Sequence, residues 1–292
     1  MTKDAVLAIL RKENDYISGE HISRLLGVSR AAVNTAVKAL RAEGYEISSS
    51  TNKGYHLDAV PNSISAQELA AYLDEARMQT VECLASVDST NNRLRELALA
   101  GAPNGQVVLA NEQTQGKGRR GRAFASPQDN GIYLSILFHP DTLPTDIVEI
   151  TAWTAVATNN AIEEVCGVRA GIKWVNDLVI DRKKICGILT EMSVESESGY
   201  IQYLIIGIGI NVNGQAEDFP AEIRSTATSL AMETGKTHSR AALAAALIRE
   251  LDSMCRAWPK EKTEYLEAYR RDNITCSPQK RMLSSAAGLP GR

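Results

Sequence analysis

Apolar and polar residues alternate with two periods along this chain, and the places where the period changes divide it into three stretches. Residues 1–60 have mostly helical spacing and end in a short segment with a period of two. From residue 65 to residue 272, short apolar runs alternate with longer segments whose apolar residues recur every three or four positions. Residues 273–292 are rich in Ser, Gly, Pro and basic residues and have no apolar period. The pattern predicts an α+β protein with a separate helical N-terminal domain.

The first stretch predicts two helices joined by a tight turn and followed by a hairpin. Ser18 and Ser29 are typical N-cap residues, and Gly27 separates the helices that they begin. Two alternating runs then flank a polar tip at residues 48–53, which is typical of a two-stranded wing. We therefore expect a winged helix-turn-helix domain over residues 1–60.

The second stretch predicts a sheet covered by helices. It begins after a proline-containing linker at residues 61–64, where Ser65 and Glu68 have the spacing of a capping box. Apolar runs bounded by turn residues predict strands over residues 107–110, 133–138, 172–174, 178–180, 187–193 and 203–212. Helical spacing with cap and stop residues predicts helices over residues 91–100, 146–166, 239–258 and 260–271. Residues 65–272 are thus predicted to form one domain with a central mixed β-sheet flanked by helices.

The second helix of the first stretch has an apolar face and a polar face. The apolar face consists of Val33, Ala36, Val37 and Leu40. The polar face has the residue types of a major-groove reader, since Arg binds guanine edges and phosphates, Asn binds adenine and Lys binds the backbone. The side chains expected to contact DNA are Ser29, Arg30, Asn34, Lys38 and Arg41. Residues 1–60 hold 8 Lys and Arg against 7 Asp and Glu, so a small protein-interaction module with a solvated polar face remains an alternative.

Composition narrows the class of protein further. The chain has 292 residues, 44% of them apolar, with 32 Lys and Arg against 35 Asp and Glu, for a net charge of −3. These values are ordinary for a soluble globular protein of about two domains. The longest nearly uninterrupted apolar run, residues 203–210, is far shorter than the roughly 18 residues that span a bilayer. Five cysteines without metal-site spacing, and an N-terminus without signal-peptide features, indicate reduced thiols and a cytoplasmic protein without membrane contact.

The most informative segment is the glycine-rich basic run at residues 113–122. Its three glycines allow a close approach of the backbone to a ligand, and four cations among seven residues offer charge-assisted hydrogen bonds to phosphate. The run matches G-x-G-x-x-G, but residues 122–127 cannot begin the apolar helix that a dinucleotide-binding fold requires. The chain also lacks the other motifs of a kinase. Taken alone, the run has one alternative interpretation, a flexible basic surface loop.

Four further segments carry polar groups next to apolar elements. Residues 88–91 begin a helix, where hydroxyls and free N–H groups can hold a polar ligand or simply cap the helix. Residues 173–178 place a Lys, an amide and a carboxylate between two strands. Residues 183–191 follow a tight turn, so their lysines are candidates for a ligand site or for a solvated hairpin tip. Residues 207–213 end an apolar strand with small residues and amides, which also suits a closely packed central strand.

Together these segments resemble the biotin protein ligase family, and with the N-terminal domain they resemble its bifunctional ligase–repressor branch. The motifs G-x-G-R-R-G-R, K-W-x-N-D, K-x-x-G-I-L and G-I-G-I-N occur in this order, within a resemblance that covers residues 5–272. The resemblance implies a class II synthetase-like catalytic domain over residues 65–272 that forms biotinyl-5′-AMP from biotin and ATP with Mg²⁺. The biotinyl group would then pass to a lysine of the biotin carboxyl carrier protein of acetyl-CoA carboxylase. The resemblance further implies a homodimer that forms on adenylate binding and represses biotin biosynthesis genes at biotin operator DNA.

The resemblance also implies roles for individual residues. Those implied to bind biotin are Ser89, Thr90, Asn91, Gln113, Lys117, Gly118, Arg119 and Lys184. Those implied to bind the nucleotide are Arg119, Arg122, Asn176, Asp177 and Asn211. Lys184, Arg119 and Asp177 are implied to be catalytic; fixed cations stabilise the charge that builds on the α-phosphate during adenylation. No protein metal site is assigned, because Mg²⁺ would arrive with ATP, with Asp177 as the candidate ligand.

The sequence departs from the family pattern in two respects. Phe124 replaces a usual Trp, Val175 replaces a usual Pro, and Lys117 replaces a usual Arg, which keeps the charge but loses bidentate geometry. The family also continues beyond the last helix into a small SH3-like barrel, which residues 273–292 do not match. We expect these residues to be an aberrant or truncated tail and the barrel to be missing. The alternative function is then a biotin-sensing DNA-binding transcriptional regulator with impaired ligation.

Overall fold

The computed structural model describes residues 2–145 and 147–275, which form two compact units that divide between Asn62 and Ser63. The division lies inside the predicted linker, and each unit has its own apolar core. None of the described helices is long and apolar enough to cross a membrane. The described cysteines, Cys83, Cys166, Cys186 and Cys255, are free thiols.

The first unit, as far as it is described, consists of three helices and a two-stranded hairpin. They are α1 (Thr2–Lys12), α2 (Gly19–Leu26), α3 (Arg30–Ala42), β1 (Glu46–Ser50) and β2 (Gly54–Ala59). The hydroxyls of Ser18 and Ser29 accept hydrogen bonds from backbone N–H groups in the first turns of α2 and α3, each at 3.1 Å. Gly27 ends α2 with a φ of 64°, which glycine adopts without strain. The predicted helix-turn-helix and its wing are confirmed.

The second unit is built on a mixed β-sheet. Its strands are β3 (Val81–Leu84), β4 (Val107–Ala110), β5 (Gly131–Phe138), β6 (Gly171–Lys173), β7 (Asp177–Ile180), β8 (Lys183–Val194) and β9 (Ile201–Asn211). Its helices are α4 (Ala66–Leu69), α5 (Glu75–Met78), α6 (Thr90–Leu99), α7 (Ile150–Cys166), α8 (Leu230–Thr234), α9 (Arg240–Ala257) and α10 (Lys262–Asp272). The strand order is β3-β4-β5-β9-β8-β7-β6, with β3 and β4 parallel and the other neighbours antiparallel. The predicted sheet flanked by helices is confirmed.

The period of two along the strands gives the sheet two different faces. On one face, the even-numbered residues of β5 and, from Leu204 onward, those of β9 are buried in the main core beneath α7 and α9. On the opposite face, Leu137, Tyr203 and Ile205 pack against Leu94 of α6. This second face continues past the N-terminus of α6, where smaller residues replace the large apolar ones.

The predicted strands and long helices are all present; β4 has the predicted ends, and the ends of the others are shifted. The sequence does not predict three short elements. These are β3, α5 and α8, which are too short to show an apolar period. β8 begins at Lys183 rather than at residue 187, because its polar first residues pair with β7 in a tight hairpin. α7 begins at Ile150, and residues 147–149 before it form turns.

Residues 273–275, which the sequence analysis assigned to the tail, lie against β6. The Ile274 N–H donates to the Ile172 carbonyl at 3.0 Å, and the Trp174 N–H donates to Thr275 Oγ1 at 3.1 Å. The folded part of the second unit therefore extends at least to Thr275. The rest of the predicted tail, residues 276–292, lies outside the described residues.

Arg240, at the start of α9, joins three segments of the second unit from a completely buried position. Its guanidinium donates to the Gly131 carbonyl at 2.8 Å, to Asp129 Oδ1 at 2.9 Å and to Asn111 Oδ1 at 3.0 Å. Asn111 in turn bonds both backbone groups of Ile64. Burial lowers the pKa of Arg240, and the hydrogen bond with Asp129 opposes that effect. The guanidinium thus fixes the start of β5 to α9.

Replacing Arg240 with leucine should lower the free energy of unfolding by about 2–4 kcal/mol, because buried acceptors lose a charged donor. Urea unfolding of the variant measures the change. Arg249→Leu is the matched control on the same helix, since its ion pair with Glu164 is about half exposed. The control should lose less than about 1 kcal/mol. Equal losses in the two variants would contradict the structural role of Arg240.

Candidate functional site

Three glycines near the centre of the sheet form the floor of the candidate site, here called the glycine trough: Gly187, Gly207 and Gly209. Gly187 of β8 pairs with Gly209 of β9, and Gly207 lies two residues before Gly209 on the same face. A Cβ on Gly207 would lie 2.3 Å from Asn91 Oδ1, and a Cβ on Gly209 would lie 2.4 Å from Phe124 Cε1. These overlying side chains therefore rest directly on the backbone of the sheet, which only glycine permits.

One end of the glycine trough is lined by the N-terminus of α6 and by Gln113. The backbone N–H and the hydroxyl of Thr90 both donate to Gln113 Oε1, at 2.9 and 3.0 Å, and Gln113 Nε2 donates to Ser126 Oγ at 2.9 Å. Ser89 is the N-cap residue of α6, but its hydroxyl forms no capping hydrogen bond although the residue is only 1% exposed. Buried hydroxyls and amides at a helix N-terminus suit a polar group of a ligand.

The glycine-rich loop folds back on itself beside the glycine trough. The Gly118 N–H donates to the Arg122 carbonyl at 2.7 Å, and the Phe124 N–H donates to the Gly116 carbonyl at 2.9 Å. Arg120 turns the chain with a φ of 57°. The loop is therefore an irregular hairpin that presents its basic side chains at the surface.

Two cations of this loop are held by neutral amides. Lys117 Nζ donates to Asn92 Oδ1 of α6, and Arg119 Nη1 donates to Asn176 Oδ1 at 3.2 Å. Asn92 also donates to Asp88, and this hydrogen bond holds the pKa of Asp88 below its usual value. The loop is thus tied to two separate segments through contacts that an anionic ligand can replace.

Lys184 lies near the start of β8 and points into the site, which excludes the interpretation of a solvated hairpin tip. Its ammonium is 2.7 Å from Asp177 Oδ1 and 5.9 Å from the centre of the Phe124 ring. Asn211 Nδ2 donates to the carbonyls of Lys184 and Thr228, at 3.3 and 3.0 Å, and so fixes the start of β8. The Lys184 side chain is 35% exposed, which leaves it accessible to a ligand.

Two cavities adjoin at this site, and the first of them lies over the glycine trough. The first is lined by every residue that the resemblance implies for biotin, namely Ser89, Thr90, Asn91, Gln113, Lys117, Gly118, Arg119 and Lys184. The second is lined by every residue implied for the nucleotide, namely Arg119, Arg122, Asn176, Asp177 and Asn211. Arg119 and Lys184 line both cavities. The structure thus brings all of these residues together, with two cations at the junction.

The lining changes in character along the site. Hydroxyl and amide groups lie at the end nearest α6, apolar surface follows at Leu189 and Phe124, and cations lie at the junction of the cavities. Such a lining can hold a ligand with a polar head, an apolar body and a carboxylate. Fixed cations at the junction can also stabilise the negative charge that develops when that carboxylate attacks a phosphate.

Sequence reasoning misses three residues that support this site: Asn92, Ser135 and Glu191. Asn92 holds Lys117, while Ser135 and Glu191 hold Asn91 and do not line either cavity. Ser135 leaves a signal in the sequence, because it interrupts the apolar run of β5. The partners of Glu191 lie about a hundred positions earlier in the chain, so spacing does not reveal them.

On the first unit, the residues predicted to contact DNA are exposed, whereas the apolar stripe of α3 is buried. Two of the five have structural partners. Ser29 caps α3, and the Arg41 guanidinium donates to the Ile47 carbonyl at 2.9 Å and to Ser49 Oγ at 2.6 Å. Arg41 therefore fixes α3 to β1, and Arg30, Asn34 and Lys38 are the predicted residues best placed for contact with DNA.

Comparison with known proteins agrees with this geometry. The profile of the Biotin/lipoate A/B protein ligase family matches residues 83–211, and that of an HTH domain matches residues 2–56. The chain is 40% identical over 242 residues to the bifunctional ligase/repressor BirA of Bacillus subtilis (strain 168), which covers 82% of this chain and 74% of that protein. It is 29% identical over 276 residues to the bifunctional ligase/repressor BirA of Escherichia coli (strain K12), which covers 94% of this chain and 84% of that protein.

The fold is also similar to that of a solved enzyme. The structure of the biotin protein ligase from Aquifex aeolicus in complex with biotin and ATP has a TM-score of 0.56 and 29% identity, and the match covers 66% of this chain and 78% of that chain. The ligase profile runs from β3 to the end of β9 and so includes most of the lining of both cavities, while the HTH profile lies within the first unit. The chain therefore belongs to the biotin/lipoate A/B protein ligase family, within its group of bifunctional biotin ligase/repressors.

Proposed function

We propose that this cytoplasmic protein forms biotinyl-5′-AMP from biotin and ATP and transfers the biotinyl group to a lysine of the biotin carboxyl carrier protein of acetyl-CoA carboxylase. The observation that supports this most strongly is the pair of adjoining cavities that share Arg119 and Lys184. In this proposal the first cavity holds biotin, and the second, which is rich in cationic and amide side chains, holds the nucleotide. A carboxylate in the first cavity would meet a phosphate of the second at the shared cations.

In this proposal, biotin lies along the glycine trough. Its ureido ring meets Ser89, Thr90, Asn91 and Gln113 at the α6 end, where hydroxyl and amide groups match its N–H and carbonyl groups. Its carboxylate meets Lys117, Gly118, Arg119 and Lys184. The hydrogen bonds of the loop cations with Asn92 and Asn176 are exchanged for stronger ones with the carboxylate and phosphate.

The nucleotide lies in the second cavity, with its α-phosphate beside the carboxylate of biotin. The carboxylate attacks that phosphorus, the bond to the β-phosphate breaks, and pyrophosphate leaves. Lys184, Arg119 and Arg122 stabilise the charge that builds on the phosphate oxygens, and Asn176 and Asn211 orient the nucleotide. The acceptor lysine then attacks the carbonyl of the mixed anhydride, and AMP leaves. Closure of the glycine-rich loop keeps water from that anhydride.

Mg²⁺ would enter this site with the phosphates of ATP and supply positive charge there. Asp177 is the carboxylate among the residues described as lining the nucleotide cavity, so it is the side chain that would hold the ion. Across residues 2–145 and 147–275, no group of three or more His, Cys, Asp or Glu side chains is arranged to bind a metal. A single carboxylate suits Mg²⁺, which often keeps phosphate oxygens and waters as its other ligands.

For repression, we propose that adenylate binding drives formation of a homodimer that binds biotin operator DNA. A dimer places two α3 helices on the half-sites of a palindrome, roughly one DNA turn apart or a multiple of it. The first unit has nearly balanced charge, so one copy alone provides little electrostatic affinity. Dimerisation would supply the second set of contacts.

Transfer of labelled biotin tests the ligase half directly. Incubation with Mg-ATP and the carrier domain should place the label on the carrier lysine. Formation of the adenylate without transfer would instead support the alternative of a regulator with impaired ligation.

Lys184→Ala should slow biotin-dependent ATP–pyrophosphate exchange by about 100-fold or more, because the transition state loses a fixed cation. Lys183→Ala is the matched control, since it removes the exposed neighbouring lysine of β8. The control should exchange at the wild-type rate. Exchange by Lys184→Ala within twofold of wild type would contradict a catalytic role.

Arg119→Gly should release biotinyl-5′-AMP about tenfold faster or more, because the loop loses a charge-assisted hydrogen bond and gains backbone freedom. Arg119→Lys keeps the charge but not the planar fork, so its rate should lie between the two. Dissociation of the labelled adenylate measures all three rates. Identical rates would remove Arg119 from the phosphate site.

In gel-shift assays on a palindromic biotin operator, saturating adenylate should strengthen binding by the wild-type protein. Asn34→Ala should reduce the preference for operator over scrambled DNA by about tenfold or more, because it removes a base contact. Lys38→Ala should weaken binding to both DNAs and reduce the salt dependence, because it removes a phosphate contact. Arg24→Ala, on the exposed surface of α2, is the control. DNA affinity that is unchanged by adenylate would contradict coupling between the two activities.

A further inference from the structure

Ser135 is a completely buried polar residue in the middle of β5. Its hydroxyl lies 2.6 Å from Asn91 Oδ1 and 2.8 Å from Thr90 Oγ1, and its single proton is donated to one of these oxygens at a time. Asn91 and Thr90 line the biotin cavity, whereas Ser135 does not. Ser135 therefore holds two lining groups from beneath.

Glu191 of β8 holds the other side of the Asn91 amide. Asn91 Nδ2 donates to Glu191 Oε2 at 2.6 Å, and Arg95 donates to Glu191 Oε1 at 2.9 Å. A carboxylate paired with arginine only accepts hydrogen bonds, and the Ser135 hydroxyl donates from the opposite side. The Asn91 amide can therefore satisfy both neighbours in one orientation only. The glycine trough adds a steric constraint, because Gly207 lets Asn91 lie against the sheet.

The neighbouring amide is fixed in the same way. The Thr90 backbone N–H can only donate, so Gln113 must turn its oxygen towards Thr90 and its nitrogen towards Ser126. The Ser126 hydroxyl donates onward to the Phe124 carbonyl at 3.0 Å. The direction of hydrogen bonding is thereby set from the Thr90 backbone through Gln113 and Ser126 to Phe124.

We infer that Ser135 and Glu191 are positioning residues that fix the donor and acceptor pattern of the biotin cavity and so select a cyclic urea. The inference rests on the proposed function. A urea ring presents two N–H donors and one carbonyl acceptor, and a pocket whose amides cannot turn is complementary to that pattern alone. An analogue of the same shape with a different pattern meets unmatched buried groups, which costs more than the loss of one hydrogen bond in water.

The test measures the affinity of Ser135→Ala for biotin and for 2-iminobiotin, in which a guanidinium group replaces the urea at the same shape. The dissociation constant for biotin should rise about tenfold or more, because the buried oxygens of Asn91 and Thr90 lose the one hydroxyl donor that they share. The preference for biotin over 2-iminobiotin should fall, and the KM for ATP should stay within twofold of wild type. Ser193→Ala is the matched control, a β8 serine that pairs with Gln202 away from the cavities.

Glu191→Gln provides a second variant closer to the surface, in case Ser135→Ala does not fold. It keeps the size of the side chain but can present a donor to Asn91, so the Asn91 amide is free to turn. Its preference for biotin over 2-iminobiotin should fall as well, while Ser193→Ala keeps the wild-type ratio. Unchanged ratios in both variants, or parallel losses of biotin and ATP binding at an unchanged ratio, would overturn the inference. Failure of the wild-type protein to bind biotin would instead overturn the proposed function itself.

Discussion

The close approach of side chains to bare backbone at the glycine trough is the constraint on which the candidate site depends. Asn91 and Phe124 occupy the space where a Cβ on Gly207 or Gly209 would lie. A methyl group at either position would lift α6 or the end of the glycine-rich loop from the sheet. Without that contact, Asn91 at the polar end of the cavity and Phe124 in its wall would move apart. The three glycines therefore set the positions of the side chains around them.

Because the sheet has two different faces, the polar site can lie next to an apolar core. Alternate residues of β5 and β9 enter the core beneath α7 and α9, while their neighbours face α6 and the cavities. Polar groups on the site face therefore do not reach the apolar core. A chain with a net charge of −3 nevertheless concentrates cations at one place. The glycine-rich loop and the start of β8 carry those cations, so net charge is a poor guide to the ligand.

The sequence predicts the parts of this protein whose signals are local. The caps at Ser18 and Ser29 and the alternation in β5 and β9 each depend on residues within a few positions of one another. The lining of the cavities is recoverable because its motifs are contiguous, although the tight turn before Lys184 leaves open whether this residue belongs to a ligand site or to a solvated hairpin tip. The contacts of Ser135 and Glu191 are not recoverable, since they join segments 44 to 100 positions apart. Helical spacing places Arg41 on the exposed face of α3 but does not reveal its hydrogen bonds with the wing.

Lys117 and Arg119 donate to the amide oxygens of Asn92 and Asn176. An amide competes weakly with a carboxylate or phosphate for a cation, so in the proposed function ligand binding supplies the free energy for closing the loop. In a protein that is both a ligase and a repressor, the position of the loop would then report whether ligand is bound. Its weak resting contacts let the loop respond readily to the ligand, and they hold it in the resting position when the site is empty. Stronger resting contacts would keep the loop from responding to the ligand. A loop without resting contacts would reach the occupied position even when no ligand is bound.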